Sequence, residues 1–89
     1  MATTDTYFQL NDSYQLIGAG PCLITIEEGT LALAHVAGSA PSDTDAGHTF
    51  GVAPGVEGAL SYSGTENVYV RIHPKNRSQP TKVAYTEVA

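Results

Sequence analysis

From Glu66 onward the residues alternate, and that alternation limits what the chain can fold into more than any other feature. Val68, Val70 and Ile72 fall on one side of the run Glu66–His73, with Tyr69, Arg71 and His73 on the other. After a polar break from Pro74 to Pro80, Val83 and Tyr85 oppose Lys82, Ala84 and Thr86. Successive side chains of a strand point to opposite faces, so a period of two in β-branched and aromatic residues marks half-buried strands. At ~3.4 Å per residue, each run supplies about 25 Å of strand. Joined by a Pro-bounded loop that carries Lys75, Asn76 and Arg77, the two runs predict a long-looped antiparallel hairpin.

The earlier part of the chain repeats the pattern in shorter pieces. Met1–Thr6 has no period and reads as a flexible arm. Tyr7-Phe8-Gln9-Leu10 is more apolar than a free tail requires, and reads either as a first short strand or as an arm segment that orders against a neighbour. Asn11-Asp12-Ser13 is a turn cluster, Tyr14–Ile17 a short strand, and Gly18-Ala19-Gly20-Pro21 a break. Cys22–Glu27 follows, with Cys22, Ile24 and Ile26 on one face. The Glu28-Gly29 turn and the return run Thr30–Val36 predict a second hairpin, with Leu31 and Leu33 pointing inward and His35 continuing that face. A polar loop spans residues 38–47. His48–Val52, with His48, Phe50 and Val52 on one face, and Ala59–Tyr62 are short strands separated by Pro54-Gly55 and Glu57-Gly58. About seven short strands with Gly/Pro turns and no convincing helix predict a single all-β domain, an antiparallel β-sandwich. Jelly roll, immunoglobulin-like sandwich and small barrel all fit. Residues 1–13 are expected as an N-terminal arm and 14–89 as the sandwich.

At 89 residues the chain makes one domain with a modest core, which favours further stabilisation by self-association or docking. Four basic against nine acidic residues give a net charge of −5, the wrong sign for a phosphate backbone, so no nucleic-acid partner is expected. Lys75, Arg77 and Lys82 lie in or beside the last loop, with Arg71 one strand away. They read as a solvated loop with an edge-guarding lysine, or more sharply as a small basic spot for an acidic partner surface. The single cysteine, Cys22, sits in an apolar run and reads as a small buried hydrophobe. Met1–Asp12 has neither a basic start nor an apolar core of the kind a secretory signal needs. No run approaches the ~20 apolar residues of a membrane-spanning helix. Synthesis in a cytoplasm and no membrane partner are therefore expected.

Candidate chemistry is sparse. Asp43-Thr44-Asp45-Ala46-Gly47-His48 has two carboxylates two apart, but a calcium loop would need a third oxygen ligand where Gly47 stands and a closing Glu. His35, His48 and His73 would hold zinc only if their strands converged, which their spacing does not demand. There is no nucleophile elbow, glycine-rich phosphate loop or spaced carboxylate pair in an apolar setting, so neither an enzyme nor a cofactor is expected. Tyr62, Tyr69 and Tyr85 lie on strands and would serve a carbohydrate-binding face if exposed together, although Tyr85 shares the core face of Val83. Asn11-Asp12-Ser13 and Asn76-Arg77-Ser78 match the N-glycosylation acceptor pattern and read as turns.

Taken together, Gly47-His48-Thr49-Phe50, the Pro54-Gly55 turn, Glu66–Arg71 and the final run Thr81–Glu87, with Tyr14–Ile17 and Leu31-Ala32-Leu33 upstream, resemble small structural proteins of tailed bacteriophages. The resemblance covers residues 14–88 and rests on a Val-Tyr-Val-Arg strand, a polar loop and a last strand. It implies a non-enzymatic virion protein without a cofactor: a capsid decoration (cement) protein, or a sandwich at the head–tail collar, fibre or baseplate. The implied partners are the major capsid protein or other virion proteins and further copies of the chain, as a homo-oligomer such as a trimer. Tyr7, Phe8 and Leu10 of the arm, with Lys75 and Arg77 of the last loop, are the expected contacts, since many weak contacts on a symmetric surface sum by avidity. A small carbohydrate- or receptor-binding module is the alternative.

Overall fold

The alternating runs all become strands, and their pairing follows one rule from the ends of the chain inward. A computed structural model describes residues 5–39, 41–42, 46–52, 54–76 and 79–88. Within them lie β1 (Asp5–Gln9), β2 (Gln15–Ala19), β3 (Cys22–Glu28), β4 (Leu31–Ala37), β5 (His48–Gly51), β6 (Ala59–Tyr62), β7 (Asn67–Ile72) and β8 (Lys82–Glu87), with a 3₁₀ turn at Pro74–Asn76. The first strand pairs with the last, β2 with β7, β3 with β6, and β4 with β5, all antiparallel. Rolling up this long ribbon adds the β3–β8 and β4–β7 ladders. The result is two four-stranded sheets, β1-β8-β3-β6 and β2-β7-β4-β5. That is the jelly roll, and it decides among the three architectures compatible with the sequence.

Two expected hairpins do not form. β7 is flanked by β2 and β4, and β8 by β1 and β3, so the two alternating runs lie in opposite sheets. β3 and β4 are likewise separated: both sides of β3 are taken by β6 and β8. The Gly29 corner, at φ +93°, does not reverse the strand within its sheet but carries the chain across to the other one. A register irregularity between Ile26 and Glu28 bends β3 just ahead of that corner, the usual device for a strand that switches sheets. The chain crosses from β2 to β3 in the same way, at Gly20 and the cis Gly20–Pro21 peptide. A Cβ on Gly20 would meet the Tyr62 ring at 2.5 Å, so only glycine lets the corner close.

The inner faces form the core. Phe8 and Leu10, Ile17, Cys22-Ile24-Ile26, Ala32-Ala34-Val36, Phe50, Leu60 and Tyr62, Val68-Val70-Ile72, and Val83 with Tyr85 all pack there. With no tryptophan in the chain, Phe50 is the largest fully buried side chain. The inward phase of β4 is the reverse of that expected. Ala32 and Ala34 face the core, while Leu31, Leu33 and His35 face outward. The register explains this: Ala32 stands between Ile72 and Phe50, and Ala34 opposite Val70, so small residues leave room for large neighbours.

Of residues 1–13, expected as an arm, the structure describes those from Asp5 on. From Asp5 they form an edge strand in register with β8. The Leu10 amide then donates to the Thr81 carbonyl oxygen (2.9 Å), and Ile72 N–H donates to the Asn11 carbonyl oxygen (3.0 Å). The segment is therefore stitched to both sheets.

Candidate interaction surface

Strand alternation places the expected contact residues in different settings. Tyr7, on the outer face of β1, is 57% exposed, and the Lys82 ammonium lies 5.8 Å from its ring centroid. Phe8 points the other way and packs partly against the core. Leu10, at 4% exposed, belongs to the core, so its side chain is not on offer to a partner while the domain stays folded. Lys75 is exposed on the 3₁₀ turn, and Arg77 lies outside the described residues.

Arg71, one strand away from the basic residues of the last loop, does not reach the surface. That residue is 4% exposed on the outer face of β7, its Nε donates to the Ile72 carbonyl oxygen (3.0 Å), and its guanidinium lies 5.9 Å from the Tyr14 ring centroid. Lys82 sits on the other sheet, over Tyr7. The sequence reading missed this outer-face cluster. Tyr14 stacks edge-on against His35 at 5.9 Å, and His35 in turn stands opposite Tyr69 in the ladder. Ala46 and Gly47, just before β5, lie against it. Nδ1 of His35 hydrogen-bonds the Ala46 carbonyl oxygen at 2.9 Å, and a Cβ on Gly47 would lie 3.2 Å from Leu33 Cβ. Tyr69, on the face expected to be polar, stands between Leu16 and His35 in the sheet and is only 7% exposed. The signal available in the sequence was the apolar and aromatic content of both phases of β4 and β7.

The three tyrosines proposed as a sugar platform have other duties. The Tyr85 hydroxyl donates to the Ala19 carbonyl oxygen at 2.6 Å and its ring lies against Gly18. Burial raises its phenol above the ordinary value, assisted by the negative charge of Cys22 thiolate and Glu87. The Tyr62 hydroxyl accepts from Glu66 N–H (3.3 Å), and its ring fills the space beside Gly20 and Gly64. Tyr69 is buried.

The histidines stay apart. His48 Nε2 meets Glu57 Oε1 at 3.1 Å in an exposed pair. His73 Nδ1 accepts from Lys75 N–H at 3.1 Å, and burial, then Lys75, then Arg71 hold its imidazole below the ordinary value. Among the described residues no three His, Cys, Asp or Glu side chains come together as a metal-holding group. Asp43 and Asp45 of the calcium-like run lie outside those residues. Cys22 is 1% exposed and burial pushes its thiol up, which makes it a poor nucleophile. Asn11 Oδ1 accepts from Ser13 N–H at 2.8 Å, so the first glycosylation-like triplet is a side-chain-closed turn. The second includes residues outside those described.

No family model, curated protein or solved structure matches the chain.

The surface features that remain are the sheet edges and a few isolated apolar side chains. β1 and β6 border one sheet, β2 and β5 the other. Tyr7 and Leu16, 57% and 52% exposed, stand on the consecutive edge strands β1 and β2. Among the described residues no pocket opens into the sandwich.

Proposed function

We propose that this chain is a non-enzymatic structural protein of a tailed bacteriophage particle, decorating or cementing the capsid or a head–tail or fibre attachment. It is made in the host cytoplasm and resides in the virion, with the major capsid protein or another virion protein as partner. The observation that carries the reading is the open β1 edge. It is an unguarded strand with an exposed aromatic ring at its centre, on a jelly roll whose interior is filled by its own side chains. Surfaces of this kind recognise other proteins by adding strands and stacking rings. Jelly rolls also recur in viral capsids, a fold-level analogy that supports the reading alongside the resemblance of the Val-Tyr-Val-Arg strand. Co-sedimentation of the purified chain with virions from its source tests it. Saturable pelleting with the particles is expected. A chain that stays in the supernatant at every concentration would overturn the proposal.

A further inference from the structure

We propose that the open edge of β1 pairs with the same edge of a second copy, antiparallel about a two-fold axis at Tyr7, joining two sheets into one. This gives the proposed assembly module a defined partner, and it rests on that reading for its role in a particle.

The backbone fixes which groups are available. Leu10 N–H donates to the Thr81 carbonyl oxygen on β8. In an antiparallel ladder alternate residues share a side, so Phe8 and Thr6 also address β8, while Asp5, Tyr7 and Gln9 turn their N–H and C=O groups to the open edge. Antiparallel pairing about Tyr7 then matches Tyr7 with Tyr7 and Gln9 with Asp5 of the second copy. Every matched residue has its backbone groups facing the seam, and about six backbone hydrogen bonds form. Only this class of axis matches the edge to itself, which is what a closed two-fold dimer requires.

The other edges are guarded, and among the described residues nothing guards this one. β2 carries a register irregularity between Leu16 and Gly18. β5 has four residues and ends at Gly51, φ +145°. β6 also has four residues. β1 has five, in unbroken register with β8, and contains no proline, lysine, glycine or bulge. Those are the devices that natural edge strands use to prevent pairing.

Charge agrees with this register. The rows crossing the seam read Lys82–Gln9–Asp5–Thr86 on either side of a central Ala84–Tyr7–Tyr7–Ala84 row. In each outer row Lys82 meets no second cation across the seam. The central row brings the two exposed Tyr7 rings together, with the two Lys82 ammonium groups on their flanks. A seam one strand long is small, so the dimer falls in the roughly micromolar range.

Sedimentation equilibrium of the full chain from about 1 to about 500 µM, a span that brackets such an affinity, tests the pairing. Tyr7→Pro deletes an N–H that faces the seam and takes no part in the β8 ladder. Tyr7→Lys sets two ammonium groups opposite each other. Tyr7→Phe keeps the ring. A dimer is expected for the native chain and Tyr7→Phe. Tyr7→Pro and Tyr7→Lys should weaken it tenfold or more with circular dichroism unchanged. A native chain that is monomeric throughout, or a Tyr7→Lys chain that dimerises as tightly as the native one, would overturn the inference. A dimer that ignores particles would sink the virion reading alone, and a monomer that binds them would sink the pairing alone.

Discussion

Replacing Leu10 with alanine separates a core residue from an arm residue. Leu10 is 4% exposed, packs in the hydrophobic cluster, and its backbone holds the β1–β8 ladder at the Thr81 carbonyl. Buried Leu→Ala changes cost about 2–5 kcal/mol, the spread reflecting how far the site collapses. Leu10 lies at the end of an edge strand, where collapse is easiest, so the lower part of that range applies, about 2–3 kcal/mol. An 89-residue domain holds about 4–13 kcal/mol in total at ~0.05–0.15 kcal/mol per residue. The loss is thus a large fraction of the whole, and at ~4–8 °C per kcal/mol it lowers Tm by about 10–20 °C. Urea unfolding followed by circular dichroism measures it, with an unchanged slope showing that the unfolded state is unaltered. Tyr7→Ala on the neighbouring outward position is the control and should stay within about 1 kcal/mol. If Leu10→Ala costs under ~0.5 kcal/mol, the value expected of an exposed site, then the placement of residues 5–10 in the sandwich is refuted.

Three further outcomes follow from the same geometry. Gly51→Ala should cost more than ~2 kcal/mol, because φ is +145° and the added Cβ would run into the Thr30 carbonyl oxygen and lie 2.9 Å from Leu31 Cα. A Tm equal to that of the native protein would contradict this corner. The Cys22 thiol should resist labelling by a thiol reagent in native buffer and react promptly in denaturing urea, since it is 1% exposed. Tyr85→Phe should lose ~1 kcal/mol at neutral pH with the Ala19 hydrogen bond. Burial raises the Tyr85 phenol above its ordinary value of 10.0, so its stabilisation is complete below that value and disappears as pH rises through the higher folded-state value. Denaturation curves from pH 8 upward should therefore fall less steeply for Tyr85→Phe than for the native chain.

The sequence disclosed the strands because each alternates in residues that suit a half-buried pleat. The β7 triplet Val68-Val70-Ile72 and the β3 triplet Cys22-Ile24-Ile26 both point inward as their periods require. Partners were not legible. Alternation says which face of a strand is wet and nothing about its neighbour, so Glu28-Gly29 and Pro74–Pro80 read as hairpin loops where the chain crosses between sheets. Phase also failed on β4, where apolar residues occupy both faces. Leu31 and Leu33 outrank Ala32 and Ala34 in hydrophobicity, but alanine fits the space left by Phe50, Val70 and Ile72. At the candidate surface, the exposure of Tyr7 and the burial of Leu10 come from one alternation that the arm reading ignored. Buried Arg71 meets the ring of Tyr14, distant in sequence, and no local pattern records that contact. The eighth strand, β1, was half visible in the apolar run Tyr7–Leu10, and it formed because β8 offered it an edge.

Electron microscopy of virions incubated with excess chain tests the central claim most directly. The domain measures 36 × 24 × 23 Å, large enough to be seen as added density after symmetry averaging. The account predicts such density at symmetry-related positions on the particle, at a fixed number of copies once binding saturates. Particles that stay bare, with the chain left free in solution at every concentration, would contradict it.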